Sequence, residues 1–155
     1  MSLKVKNIAP NFKLLNQNDV IVDLKLIKNN LVLFFYPKDN TPGCTKEAIS
    51  FSKYLTSFNN LGYTVLGVSK DSTEKHRKFI KKHTLMVDLL SDFENNISEE
   101  YGVWVEKNMY GKKYFGIERT TFIINKSKKI ENVWNKVKVN NHVEEVLDYI
   151  NNCIN

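Results

Sequence analysis

The sequence predicts an α/β fold with a mixed central sheet and helices on both of its faces. Three observations carry this. Leu31-Val32-Leu33-Phe34-Phe35-Tyr36 is an unbroken apolar run of strand length, as expected for a central strand covered on both sides. Two more apolar segments, residues 64–68 and 86–90, alternate with stretches of helical period. A hairpin pattern and an amphipathic segment then close the chain. Strand–helix–strand–helix–strand followed by a hairpin and a helix is the order of a layered α/β domain.

Each element has its own signal. Pro37 stops the first strand, and residues 38–43 are polar or turn-forming. From Thr45 the apolar residues Ala48, Phe51, Leu55 and Phe58 recur at helical spacing, with Gly62 where a C-cap glycine belongs. Asp71 or Ser72 caps a basic helix that runs to about His83. A short helix is expected near residues 96–101, followed by a loop rich in Gly and Lys. Residues 120–124 and 130–134 flank Asn125-Lys126-Ser127-Lys128 as a hairpin. In the last helix Asn141 and Glu144 resemble a capping box. Val143, Val146, Leu147 and Ile150 form its apolar stripe, and Cys153 continues it.

With 155 residues, 42% apolar content and nine Phe, the chain suits one domain with one substantial core. Two distant cysteines, Cys44 and Cys153, exclude a disulfide framework and a Cys-rich zinc module. His76 and His83 stand seven residues apart on one helix, about 10 Å along its axis, too far to share a zinc ion. The start is charged and the longest apolar run falls far short of the ~20 residues that span a bilayer. A cytoplasmic protein with reduced thiols is therefore expected. The net charge is +6, yet only Arg77 and Arg119 among 23 basic residues are arginines. Lys75, Arg77, Lys78, Lys81 and Lys82 give helix 73–83 a basic face, which opens a polyanion-binding module as an alternative. Phe79, its one aromatic, belongs to the core pattern, so nucleic acid is not the expected partner.

Cys44 is the chemically suggestive residue. It lies where the loop after the first strand meets the next helix, at the carboxyl end of a sheet strand, where ligands of such sheets bind. A thiol in the first turn of a helix feels unpaired N–H groups and the positive dipole end, which favour the thiolate. Thr41 places a hydroxyl one turn away, and Pro42-Gly43 shape a tight approach. Glu47, three residues after Cys44, is an anion in the first turn.

Pro37-x-x-x-Thr41-x-x-Cys44 resembles the peroxidatic signature of the peroxiredoxins. The wider Phe34-Phe35-Tyr36-Pro37 and Thr45-Lys46-Glu47-Ala48 are similar to the bacterioferritin-comigratory-protein (PrxQ) branch. Tyr101-Gly102-Val103-Trp104, Glu106-Lys107, Tyr110-Gly111-Lys112, Gly116-Ile117, Arg119 and Thr121-Phe122-Ile123-Ile124 continue the likeness along nearly the whole chain. The resemblance implies a thioredoxin-like fold and a thiol-dependent peroxidase that needs no metal or organic cofactor. It implies Cys44 as nucleophile, Thr41 and Arg119 as donors to thiolate and peroxide, and Pro37 as a shield. Glu47 itself reads either as a first-turn anion that suits the helix dipole and solvent or as a residue that orients Arg119. The implied partners are a peroxide and a thiol reductant such as thioredoxin or glutaredoxin, with a monomer or weak homodimer and no membrane. A peroxide sensor would share the same Cys44 chemistry.

Many members of that branch carry a resolving Cys five residues after the first, where this chain has Ile49. Others place it on the next helix, and helix 73–83 has none. A one-cysteine cycle completed by an external thiol is therefore expected. Cys153 reads either as a helix-end packing residue or as a C-terminal resolving thiol.

Overall fold

The computed structural model describes residues 3–154. Its chain order is β1 (Lys13–Leu15), β2 (Ile21–Asp23), β3 (Asn30–Phe35), α1 (Pro42–Lys53), α2 (Leu55–Asn60), β4 (Tyr63–Ser69), α3 (Thr73–His83) and β5 (Asp88–Ser91). Then come α4 (Ile97–Glu100), β6 (Trp104–Met109), β7 (Lys112–Ile117), β8 (Thr120–Ile124), β9 (Ile130–Trp134) and α5 (His142–Ile154). Seven strands form one mixed sheet in the order β2-β1-β5-β4-β3-β8-β9. β3, β4 and β5 run parallel, while β8 is antiparallel to β3. This is the expected layered α/β fold with its thioredoxin-like arrangement. Among the described residues no helix is long and apolar enough to cross a membrane.

The apolar run of β3 organises two cores. Successive strand residues face opposite sides of a sheet. Leu31, Leu33 and Phe35 accordingly enter one cluster with Tyr101 and Phe122, whereas Val32, Phe34 and Tyr36 enter the other with Phe51, Phe79 and Val146. Cys44 belongs to the second cluster. β3 thus ends with its last residues anchored on both faces, and the loop that follows starts from a rigid point.

Several expectations need correction. Residues 104–117 are not a loop but the hairpin β6–β7, turned at Tyr110 and Gly111, whose φ values of 52° and 81° suit a type I′ turn. Its strands are largely exposed, so they lack the apolar alternation that marks a half-buried strand. The helix expected from Thr45 begins at Pro42 and is interrupted at Tyr54, although Tyr54 N–H→Ser50 O and Phe58 N–H→Tyr54 O carry hydrogen bonds across the junction. Asn141 does not form the capping box. It adopts φ 62°, outside the extended region a side-chain N-cap uses, and its backbone carbonyl accepts the Glu145 N–H. Cys153 does not continue the buried stripe of α5; Val143, Val146 and Ile150 are buried, but Cys153 is exposed. Three-residue strands β1 and β2 add an edge hairpin that carries no clear pattern of its own.

Gly67 in β4 pairs with Phe34 in β3, and a methyl group there would lie 2.6 Å from Phe34 Cζ and 2.8 Å from Leu89 Cδ2. Gly67→Ala is expected to cost about 1–3 kcal/mol through overpacking. A lower urea midpoint with unchanged slope would record it.

Candidate active site

The second core and the loop after β3 together position Cys44. Pro37 stands partly buried at the head of that loop. Thr41 is the N-cap residue of α1, but its hydroxyl does not cap; it donates to the Lys38 carbonyl at 2.9 Å. Pro42, Gly43 and Cys44 form the first turn, with proline at a position that needs no N–H. The amides of Gly43 and Cys44 are among the first-turn donors with no intrahelical acceptor. Cys44 itself is only 1% exposed.

Arg119, between β7 and β8, reaches this turn from the opposite side of the chain. Its Nη2 donates to Cys44 Sγ at 3.3 Å and its Nη1 to Glu47 Oε1 at 2.7 Å. Cys44 and Glu47 are spaced three apart on one helix face, so one planar guanidinium spans both. Gly43 leaves room for it: a Cβ there would sit 3.1 Å from Arg119 Nη2. Arg119 pairs with Glu47 across 72 residues of sequence rather than with its neighbour Glu118.

The electrostatics follow from burial. Glu47 is fully buried, and burial pushes its carboxyl up to about 7 although Arg119 pulls it down. Its Oε2 has no hydrogen-bond partner among the described residues. Burial lowers Arg119, but the Glu47 and Cys44 charges outweigh that and hold the guanidinium above its ordinary value. Lys107 on β6 joins the same field. Burial and then the Arg119 charge lower it, the Cys44 thiolate raises it, and its ammonium donates to the Ile117 carbonyl at 2.5 Å.

Two further groups emerge only in three dimensions. Asp39, inside the loop, accepts from the Tyr36 hydroxyl at 2.6 Å, lies 2.6 Å from His76 Nδ1, and donates its backbone N–H to Asp71 at 2.8 Å. All four residues are buried, so the loop is pinned to α3 and to the end of β4. His142, at the start of α5, is 2.8 Å from the Thr121 hydroxyl, and burial followed by the Arg119 charge pushes it down to about 4. No local pattern marks either group, because each draws its partners from distant segments.

The structure therefore brings Thr41, Cys44, Glu47 and Arg119 to one turn. It does not bring Cys153 there. Cys153 acts electrostatically on Tyr63 and Tyr149, and Tyr63 opens β4 beside Asn30, the first residue of β3. Cys44 follows the other end of β3. The two thiols therefore lie toward opposite ends of the parallel strands.

The two shifted groups have opposite effects on acid stability. A depressed His142 binds its proton more weakly when folded, so stability is lost as pH falls from 6.5 toward 4, by on the order of 3 kcal/mol. A raised Glu47 takes up its proton more readily when folded, so its burial cost is relieved as pH falls from about 7. Urea unfolding at pH 5 and pH 7.5, each variant read against wild type, should show Glu47→Gln falling behind at the lower pH. His142→Gln should gain on wild type there, and a shared slope in both variants would refute the assignment.

The AhpC/TSA family model matches residues 5–133. A putative peroxiredoxin bcp of Coxiella burnetii is 48% identical over 148 residues, covering 95% of this chain and 98% of that protein. Peroxiredoxin Bcp of Bacillus subtilis is 45% identical over 148 residues, covering 95% and 94%. A solved cysteine-to-serine mutant of Xylella fastidiosa PrxQ superposes with a TM-score of 0.89 at 36% identity, covering 96% and 98%. Xanthomonas campestris bacterioferritin comigratory protein, solved in trapped-intermediate and ligand-complex structures concerned with alkyl peroxide reduction, has a TM-score of 0.87 at 36% identity and covers 93% and 92%. A family match over most of the length and relatives of this identity converge with the thiol–guanidinium geometry: the chain belongs to the AhpC/TSA family and is a peroxiredoxin, a thiol-dependent peroxidase.

Proposed function

We propose that this chain reduces hydrogen peroxide and small organic hydroperoxides at Cys44 in a one-cysteine cycle. The observation that carries the proposal is the 3.3 Å contact between Arg119 and Cys44 Sγ, fixed from behind by buried Glu47. Cys44 thiolate attacks the nearer peroxide oxygen, the O–O bond breaks, and the departing oxygen takes a proton as water or alcohol. The sulfur loses two electrons and becomes a sulfenic acid. Charge spreads over two oxygens in the transition state, so preorganised donors contribute most. Arg119 offers one arm without surrendering Glu47. The first-turn amides offer N–H groups. Thr41, whose hydrogen is engaged by Lys38, offers lone pairs to the peroxide O–H.

Three features support an external thiol as the resolving partner. Ile49 is exposed where a nearby thiol would serve, α3 contains no Cys, and Cys153 sits at the far end of the parallel strands. A disulfide needs Cα atoms within about 4.4–6.8 Å. The sulfenic acid then condenses with a thiol, releasing water. A second thiol displaces Cys44 from that mixed disulfide. Thioredoxin or glutaredoxin fits this role, and an exposed free Cys153 suits a reducing cytoplasm.

Cys44→Ser should abolish peroxide consumption with dithiothreitol; retained turnover would overturn the proposal. Intact mass after one equivalent of peroxide should show one added oxygen, and a Cys44–Cys153 disulfide would rule out the one-cysteine cycle. Arg119→Lys keeps the charge but loses the fork, and should lower kcat/KM by about 10²-fold, as removal of one transition-state donor typically does. Glu47→Gln should also slow the reaction. Its deficit relative to wild type should shrink below pH 7, where the native carboxyl is itself protonated.

A further inference from the structure

A cavity of about 230 Å³ lies between the active-site loop and α3. Lys38 from the loop and Lys75, Lys78 and Lys82 from α3 line it, over buried Phe79. The three helix lysines stand at i, i+3 and i+7, so they share one face. Lys78 reaches exposed Glu74 at 3.4 Å, while Lys38, Lys75 and Lys82 have no ion-pair partner among the described residues. Asp39 and Asp71 also line the cavity, but they are committed inward: Asp39 to Tyr36 and His76, Asp71 to Ser69 and the Asp39 N–H. What remains toward solvent is a concave, positively charged site with an apolar floor.

Its place relative to Cys44 gives it meaning. Residues 38–40 are at once a wall of this cavity and the start of the turn that holds Cys44, with the Thr41 hydroxyl tied to the Lys38 carbonyl. The cavity admits a small molecule rather than a protein segment. We propose that it binds a small carboxylate-bearing thiol, which delivers its sulfhydryl to oxidised Cys44. This rests on the one-cysteine reading. The lysines concentrate an anionic thiol beside the loop and favour its thiolate, an effect that salt screens. The anionic thiol RSH condenses with the sulfenic acid to give Cys44–S–S–R and water. A second RSH then releases Cys44 thiol and RSSR.

The test oxidises the full-length protein with one equivalent of peroxide and follows loss of the sulfenic acid. Mercaptosuccinate, neutral 2-mercaptoethanol and cationic cysteamine are each compared between wild type and Lys75→Gln/Lys78→Gln/Lys82→Gln. Wild type should react with mercaptosuccinate at least several-fold faster than the variant does, and succinate or high salt should erase that advantage. Neutral 2-mercaptoethanol should show no such ratio, and cysteamine should show the inverse one. Equal mercaptosuccinate rates in the two proteins, or an advantage insensitive to succinate, would overturn the site. A variant slowed only toward reduced thioredoxin would also overturn it, in favour of an acidic protein face. Absence of sulfenic acid formation would instead defeat the one-cysteine reading. The variant's uptake of the first equivalent of peroxide reports that it is folded.

Discussion

The fully buried Glu47 carboxylate imposes the condition on which the active site rests. An isolated carboxylate at that depth would cost several kcal/mol, and Arg119 is the cation that offsets it. The pairing is incomplete, since Glu47 Oε2 has no partner among the described residues and burial still drives the carboxyl up to about 7. That residual strain serves the chemistry. Arg119 is held from one side, so its other arm stays directed at Cys44 and need not reorganise when charge moves onto the peroxide.

Everything around the pair serves to bring two distant segments to one place. β3 sends alternate residues into two cores, so its end is immobile on both faces. The loop that leaves it is pinned by Asp39 to Tyr36, His76 and Asp71, which sets where α1 begins and therefore where Cys44 and Glu47 lie. From the other side, β8 pairs antiparallel with β3, with Thr120 opposite Phe35. Arg119, one residue before β8, is thereby carried to the same end of the sheet. Gly43 then lets the guanidinium settle against the helix start.

Legibility of the parts followed the physics of each. The strong apolar run 31–36 and the helical periods of 73–83 and 142–154 could be read because burial of a continuous face dictates local pattern. The β6–β7 hairpin could not, since exposed strands leave the alternation unconstrained. Among site residues, Cys44 and Thr41 were visible as a local helix start, and Arg119 as one of two arginines in a lysine-rich chain. Asp39, His76, Lys107 and His142 were not, because their partners come from elsewhere in the fold.

The sequence by itself determined the layered α/β fold, the helix start that presents Cys44, and the lack of a second thiol near it. Those follow from periodicity, turn residues and composition, which are local. Only the tertiary structure decided that Arg119 belongs to Glu47 rather than Glu118, and that Cys153 lies at the opposite end of the sheet. It alone placed the lysines of α3 around a cavity against the active-site loop. Strand order and register fix which remote residues meet, and no local spacing encodes them.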